Sequence, residues 1–313
     1  MALQFNGGAR VPGSLGNASR GVGQRVPGPI GRTLWDKQST PSAQATLAKA
    51  VKTTPMPPPL AFESGVDVHA VTWHLFKKDP AFKEVQQAPG INNCPVASIL
   101  AAMAFTAVGQ AYIKQLVPEK AGNVLTDLSS VPPGTLSNLP PGPTISSSRY
   151  FAVKLPGGSI DVSDVLYTDD HDLGWSPFYM RDPDRDDPSI WAAIIEKALA
   201  VKLKGYQTFN TDITANDFWE KITGVRPGVI EIKANTPLET ITDAARASTS
   251  VPSIGASKPD RADVKFVSNF HGFAMLGLQG SKIQLYDPAK AETLLISPAD
   301  FRHDFQDILF RRK

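Results

Sequence analysis

The chain has 313 residues, more than one small core needs, and its 42% hydrophobic and 20% charged content is that of a soluble globular protein. A formal net charge of +2, with no block of five or six like charges, leaves no electrostatic footprint for nucleic acid or an anionic membrane. The single cysteine excludes an internal disulfide framework and a cysteine-rich zinc site, and a lone thiol suits a reducing compartment.

Residues 1–60 are rich in Gly, Pro, Ser, Ala, Arg and Lys, from "GGARVPGSLGNASRGVGQRVPGPIGR" to "KTTPMPPPL". Proline and glycine at this density do not propagate a helix or a sheet ladder, and too little apolar surface is present to offset chain entropy. The segment reads as a flexible leader: a plain tail, a delivery signal or a pro-segment. It has no apolar stretch long enough for a secretory signal, and no run of apolar residues anywhere is long enough to span a bilayer.

"VDVHAVTWHLFKKDPAF" opens the expected folded part, residues 61–313. The composition from Pro95 to about Leu116 predicts a buried helix. "VPPGTLSNLPPGPTISSS" reads as a Pro/Ser loop, and "YFAVKLPGGSIDVSDVLYT" as two short strands around a Pro-Gly-Gly turn. In "DPSIWAAIIEKALAVKLKGY", Asp187 is placed to cap a helix and Pro188 to occupy its first position. Ile190, Ala193, Ile194, Ala198 and Val201 recur at spacings of three and four, which predicts one buried face, and Gly205 ends the helix. After Gly224 strand patterns dominate in "GVIEIKA", "HGFAMLGLQG" and "SKIQLYDP", and "SPADFRHDFQDILFRRK" closes the chain with a short helix or turn and a last strand. Helices first and antiparallel strands afterwards predict an α+β fold, with a helical half over about 61–225 and a sheet half over about 226–313.

Two stretches carry candidate chemistry. Cys94 stands between the polar "QQAPGINN" and the apolar "PVASILAAMA", where a helix N-terminus would stabilise a thiolate and offer a backbone N–H to an oxyanion. The same position also suits a small core residue. His271 begins an apolar strand, and Asp287 ends the next one sixteen residues later. Strands joined by the "QGSK" turn would set the two side by side, with the carboxylate fixing the imidazole tautomer, or would leave a core histidine and a capped turn. His69, His74, His171 and His303 show no metal-ligand spacing.

An early cysteine at a helix start and a late histidine on a sheet follow the papain order. The sequence resembles the calpain-type cysteine proteases of the papain superfamily. The stretches that carry this are "NCPVASILAAMA", "VKLPGGSIDVSDVLYT", "SIWAAIIEKALAVKLKGY" followed by "ITGVRP", and "FHGFAMLGL" with "IQLYDP", over roughly residues 85–310. In the third, Trp191, Glu196, Lys197, Ala198, Ala200, Lys202, Gly205 and Tyr206 fall in step with the family's motif, where the Glu-Lys pair is taken as packing and helix-surface chemistry.

The resemblance implies Cys94 as nucleophile, His271 as general base and acid, and Asp287 in the place of the family's asparagine. The family's oxyanion glutamine lies six residues before the cysteine. Ala88 stands there, so Gln87 is the expected donor and Asn93 the fallback. Ala289 replaces a tryptophan after "YDP". No calcium-binding loop is recognisable, so calcium independence is expected, with no cofactor or metal.

The implied activity is endopeptidase cleavage of a protein or peptide substrate by a monomer. The implied setting is the cytoplasm, or export without a classical signal peptide as an effector or toxin with an inhibitor or immunity protein as its partner. Two alternatives stay open: a transglutaminase, deamidase or peptidoglycan amidase on the same triad, and an inactive binding module on the protease scaffold.

Overall fold

The computed structural model describes residues 52–60, 66–88, 90–132, 144–171, 174–184, 186–211, 213–260, 262 and 264–312. The leader up to residue 51 and residues 133–143 of the expected Pro/Ser loop lie outside the described residues. Helix and strand take similar shares, 30% and 34%, and the fold is α+β.

The first part runs β1 (Lys52–Pro55), β2 (Val66–Ala70), a 3-10 turn at Phe82–Glu84, β3 (Gln86–Gln87), α1 (Cys94–Phe105), α2 (Ala107–Leu116), β4 (Glu119–Asp127), β5 (Thr144–Leu155), β6 (Gly158–Ser163), β7 (Val165–His171), β8 (Gly174–Pro177), β9 (Met180–Arg181), α3 (Trp191–Lys202) and α4 (Ala215–Thr223). The second runs β10 (Gly228–Glu231), α5 (Leu238–Ala247), β11 (Ser253–Ser257), β12 (Gly272–Gln279), β13 (Lys282–Asp287), β14 (Glu292–Ile296), α6 (Pro298–Asp304) and β15 (Phe305–Phe310).

The expected helical half is a correction. Among the described residues of 61–225 there are eight strands besides the helices, and with β1 they form sheets ordered β1-β4-β5-β6, β2-β7-β8 and β3-β9. The described fold also includes β1, inside the expected leader. β1 pairs in parallel with β4, Thr54 and Met56 are buried, and the Tyr206 N–H donates to Pro58 O at 3.0 Å. A Pro-rich segment can dock here because β1 lies at a sheet edge, where a missing N–H costs least. The β5–β6 hairpin is where the sequence puts it, closed by Pro156 and Gly157, whose φ of 87° a Pro-Gly turn requires.

The helix expected over 95–116 is two helices meeting at 117°. Thr106 is extended, its hydroxyl accepting the Gly109 N–H at 3.2 Å, and a Cβ on Gly109 would lie 2.1 Å from Met103 O. α1 is buried almost throughout, which fits its uniformly apolar sequence. Among the described residues no single helix is long and apolar enough to cross a membrane.

α3 departs from expectation twice. It begins at Trp191, because Asp182 accepts the Ser189 N–H at 3.0 Å and His74 O accepts the Ile190 N–H at 3.0 Å, so neither Asp187 nor Pro188 starts it. And it is buried on every side from Trp191 to Ala200, Glu196 and Lys197 included. The Glu-Lys pair is therefore not surface chemistry. Lys197 Nζ donates to Val165 O at 2.6 Å, Ser163 O at 3.1 Å and Ser163 Oγ at 3.3 Å, while burial pushes its ammonium down to about 7.

The second part is a six-stranded sheet, β10-β15-β11-β12-β13-β14, antiparallel at every pairing. β12 divides two cores at a period of two: Ala274 and Leu276 join the large core around α1 and α3, while Phe273 and Met275 join a smaller one under α5 and α6. A strand covered on both faces reads as a continuous apolar run, as "GFAMLGL" does. This packing brings the start of β12 against the start of α1.

Candidate active site

Cys94 is the first residue of α1, after Asn93 and before Pro95. A residue at this place has no intrahelical acceptor for its N–H and stands in the positive end of the helix field. The thiol is buried, with 9% of the residue exposed.

His271 directly precedes β12, and its backbone is fastened on both sides by Ser257. Its N–H donates to Ser257 Oγ at 2.9 Å, and its carbonyl accepts the Ser257 N–H at 2.9 Å. Phe270 before it holds φ at 48°, left-handed for a large non-glycine side chain, with its N–H on Lys258 O at 2.8 Å. Such geometry persists only where its surroundings enforce it. The β12–β13 register then sets the imidazole by Asp287, with Nε2 2.8 Å from Oδ1. The same Oδ1 accepts the Ala289 N–H at 2.9 Å. The His271 ring stands edge-on to Phe273, centroids 4.8 Å apart.

Asp287 hydrogen-bonds His271, and Cys94 lies near enough to the same ring to act on its charge. Burial disfavours the imidazolium, but the Asp287 bond, with the influence of Cys94 and the Asp287 charge, outweighs it and pushes His271 up to about 9. For Asp287 burial acts upward, and the His271 bond and charge, with the Ala289 N–H and Lys290, hold the carboxyl below its usual range. Nε2 being engaged by Asp287, Nδ1 is left to take the thiol proton.

A cleft of about 380 Å³ lies beside this group, lined by Gln87, Ala88, Gly90, Ile91, Asn92 and Ala289. It runs between the loop that leads into Cys94 and the loop that follows Asp287. Two bonds tie these walls together: the Gln87 N–H to Pro288 O at 2.9 Å and the Tyr286 hydroxyl to Val85 O at 2.8 Å. Gln87 Nε2 donates to Ile91 O at 2.7 Å, which leaves its second hydrogen for a ligand, and its Oε1 has no partner.

Asn93, the fallback donor, is a correction. It is fully buried and its Nδ2 donates to Glu196 Oε1, so the amide faces the core instead of the cleft.

The structure thus brings Cys94, His271 and Asp287 together, places Gln87 on the cleft wall, and turns Asn93 away. Sequence reasoning missed Ser257, Ser98 and Gly272. Ser98 Oγ donates to Cys94 O at 2.5 Å, and a Cβ on Gly272 would meet that Oγ at 2.6 Å. The glycine after His271 is what lets β12 approach α1 this closely. The "HG" dipeptide opening a strand was the available signal. Gly272→Ala is expected to lower kcat/KM by roughly ten- to a hundredfold by pushing His271 away from Cys94. Adding Ser98→Ala, which removes the obstructing hydroxyl, is expected to restore most of it. Steady-state kinetics on both variants check this, and an unimpaired Gly272→Ala protein would refute it.

Among the described residues no group of three or more His, Cys, Asp or Glu side chains is placed to hold a metal ion. Compared with known proteins, the chain matches no family model and no curated sequence.

Proposed function

We propose that the chain is a calpain-like cysteine endopeptidase with a papain-like fold. One observation carries the reading: a cysteine at the first position of a buried helix shares a histidine with a buried, ionised aspartate. The packing of α1 against a sheet that supplies both partners, and a cleft beside them with an unspent amide hydrogen on Gln87, support it further.

In this mechanism the Cys94 proton rests on His271 as an ion pair before substrate binds, and the sulfur attacks the scissile carbonyl, forming a C–S bond. The oxyanion is held by the Cys94 N–H and by Gln87 Nε2. His271 returns the proton to the leaving amine as the C–N bond breaks, leaving a thioester. Water, deprotonated by His271, attacks the thioester; the C–S bond breaks, and a carboxylic acid and the thiol are released. Asp287 stays ionised and holds the ring in place throughout.

The test is digestion of casein by the full chain, read by intact mass and by new amino termini, with and without calcium. New termini at a calcium-independent rate are expected. Ammonia or amine exchange without new termini would replace the peptidase reading with a deamidase or transglutaminase on the same triad.

The raised His271 value sets the pH dependence. The folded ring keeps its proton up to about pH 9, where the free side chain loses it near 6.5. The stability gained from charging it is complete below pH 6.5 and is lost as pH rises through 9. The catalytic ion pair is lost over the same alkaline limb. A fall in kcat/KM centred near pH 9 is expected, moving to lower pH in Asp287→Asn, which removes a cause of the upward shift. A limb that does not move in that variant would contradict the assigned coupling.

A further inference from the structure

We infer that Glu196 is a positioning residue of the catalytic centre, a single buried carboxylate that fixes both the residue before the nucleophile and the strand beside Gln87. The inference rests on the triad reading above and adds to it a group from α3 that touches no reacting atom.

Glu196 is 1% exposed, and its two oxygens go in two directions. Oε1 accepts from Asn93 Nδ2, on the residue immediately before Cys94. Oε2 accepts the Met180 N–H at 2.9 Å. Met180 belongs to β9, where it lies directly opposite Gln87 of β3. The carboxylate therefore spans the segment that carries the nucleophile and the one that braces the oxyanion donor. Against a carboxylate Asn93 must present its nitrogen, so the amide orientation is fixed, and its Oδ1 finds no other partner.

A role in stability alone accounts poorly for this. Bringing a carboxylate into a core costs several kcal/mol, and an apolar side chain of similar volume is often neutral or better. The carboxylate serves instead to tie the residue before the nucleophile to the short β3–β9 pair that carries Gln87. Gln87 of that pair and Asn92 beside Asn93 line the cleft, and a shift of about 1 Å in either costs on the order of a hundredfold in rate.

The test uses a reversed hydrogen bond. Glu196→Gln keeps the shape but leaves one acceptor for two donors. Asn93→Asp sets two carboxylates face to face. Together, Asn93→Asp with Glu196→Gln lets the new amide donate to the new carboxylate while its oxygen still accepts from Met180. We expect kcat in Glu196→Gln to fall roughly ten- to a hundredfold with KM little changed. We expect the double variant to recover most of that loss, although two substitutions at independent sites would add.

The rate at which iodoacetamide alkylates Cys94 is measured alongside, well below each variant's melting temperature. It should slow in Glu196→Gln and recover in the double variant. Wild-type kcat and alkylation in a Glu196→Gln protein whose only change is a lower Tm would overturn the inference. Wild-type protein that cleaves nothing would sink the peptidase reading, and the alkylation rates would still decide the role of Glu196.

Discussion

Replacing Cys94 with alanine is expected to lower casein hydrolysis by at least about a thousandfold while leaving the fold intact. The side chain removed is small and lies at the end of α1, so the cost in stability should stay within about 1 kcal/mol. His271→Ala should lose activity to a similar degree, because the sulfur then has no acceptor for its proton and the leaving amine no donor. On the proposed mechanism the two residues act as one unit: Nδ1 of the ring serves the thiol while Nε2 is spent on Asp287 at 2.8 Å. The double variant should accordingly be no worse than either single one, a non-additivity that independent contributions would not give. Residual hydrolysis in Cys94→Ala and in the double variant would measure what the cleft and the Gln87 amide achieve without a nucleophile. Hydrolysis persisting at wild-type rate in Cys94→Ala would place the chemistry elsewhere in the molecule.

The parts of this site that were legible in the sequence are those fixed by local rules. Pro95 and the uniformly apolar run after it mark a helix start, so Cys94 could be placed at an N-terminus from composition alone. His271 and Asp287 flank two apolar runs joined by a glycine turn, and antiparallel pairing does the rest. What was not legible depends on long-range packing. Lys52–Pro55 looks like a linker because its pairing partner, β4, lies some seventy residues away. Glu196 and Lys197 look like solvated helix residues because charge normally marks the exposed face. Here α3 has no exposed face, and neighbours on a helix point apart, Glu196 towards Asn93 and Met180, Lys197 towards the β6–β7 junction. Asn93 looks like an oxyanion donor because it adjoins Cys94, whereas the direction of its side chain is set by a carboxylate 103 positions further on.

The same helix governs the largest expected loss of stability. Trp191→Ala is expected to destabilise the protein by about 4 kcal/mol, the range for removing a large aromatic side chain from a core. Trp191 is 0% exposed, and its indole Nε1 donates to Glu84 Oε2 at 2.6 Å. That oxygen also accepts the Ala81 N–H at 3.2 Å and is itself buried, so truncation leaves both a cavity and a carboxylate short of a donor. Trp191→Phe keeps most of the volume and loses the bond, and should cost about 1–2 kcal/mol. The difference between the two variants then separates packing from hydrogen bonding. Against a total stability of about 5–15 kcal/mol for a domain, the alanine variant is brought close to unfolding, and urea denaturation of all three proteins gives the numbers. A cost below about 1.5 kcal/mol for Trp191→Ala would mean that the core around α3 collapses to fill the space. Trp191 grips the segment around Glu84 and Glu196 grips Asn93, so one helix anchors both ends of the chain that forms the cleft wall. A variant loosened at Trp191 should therefore also lose activity before it unfolds, because α3 holds both ends of the wall that carries Gln87.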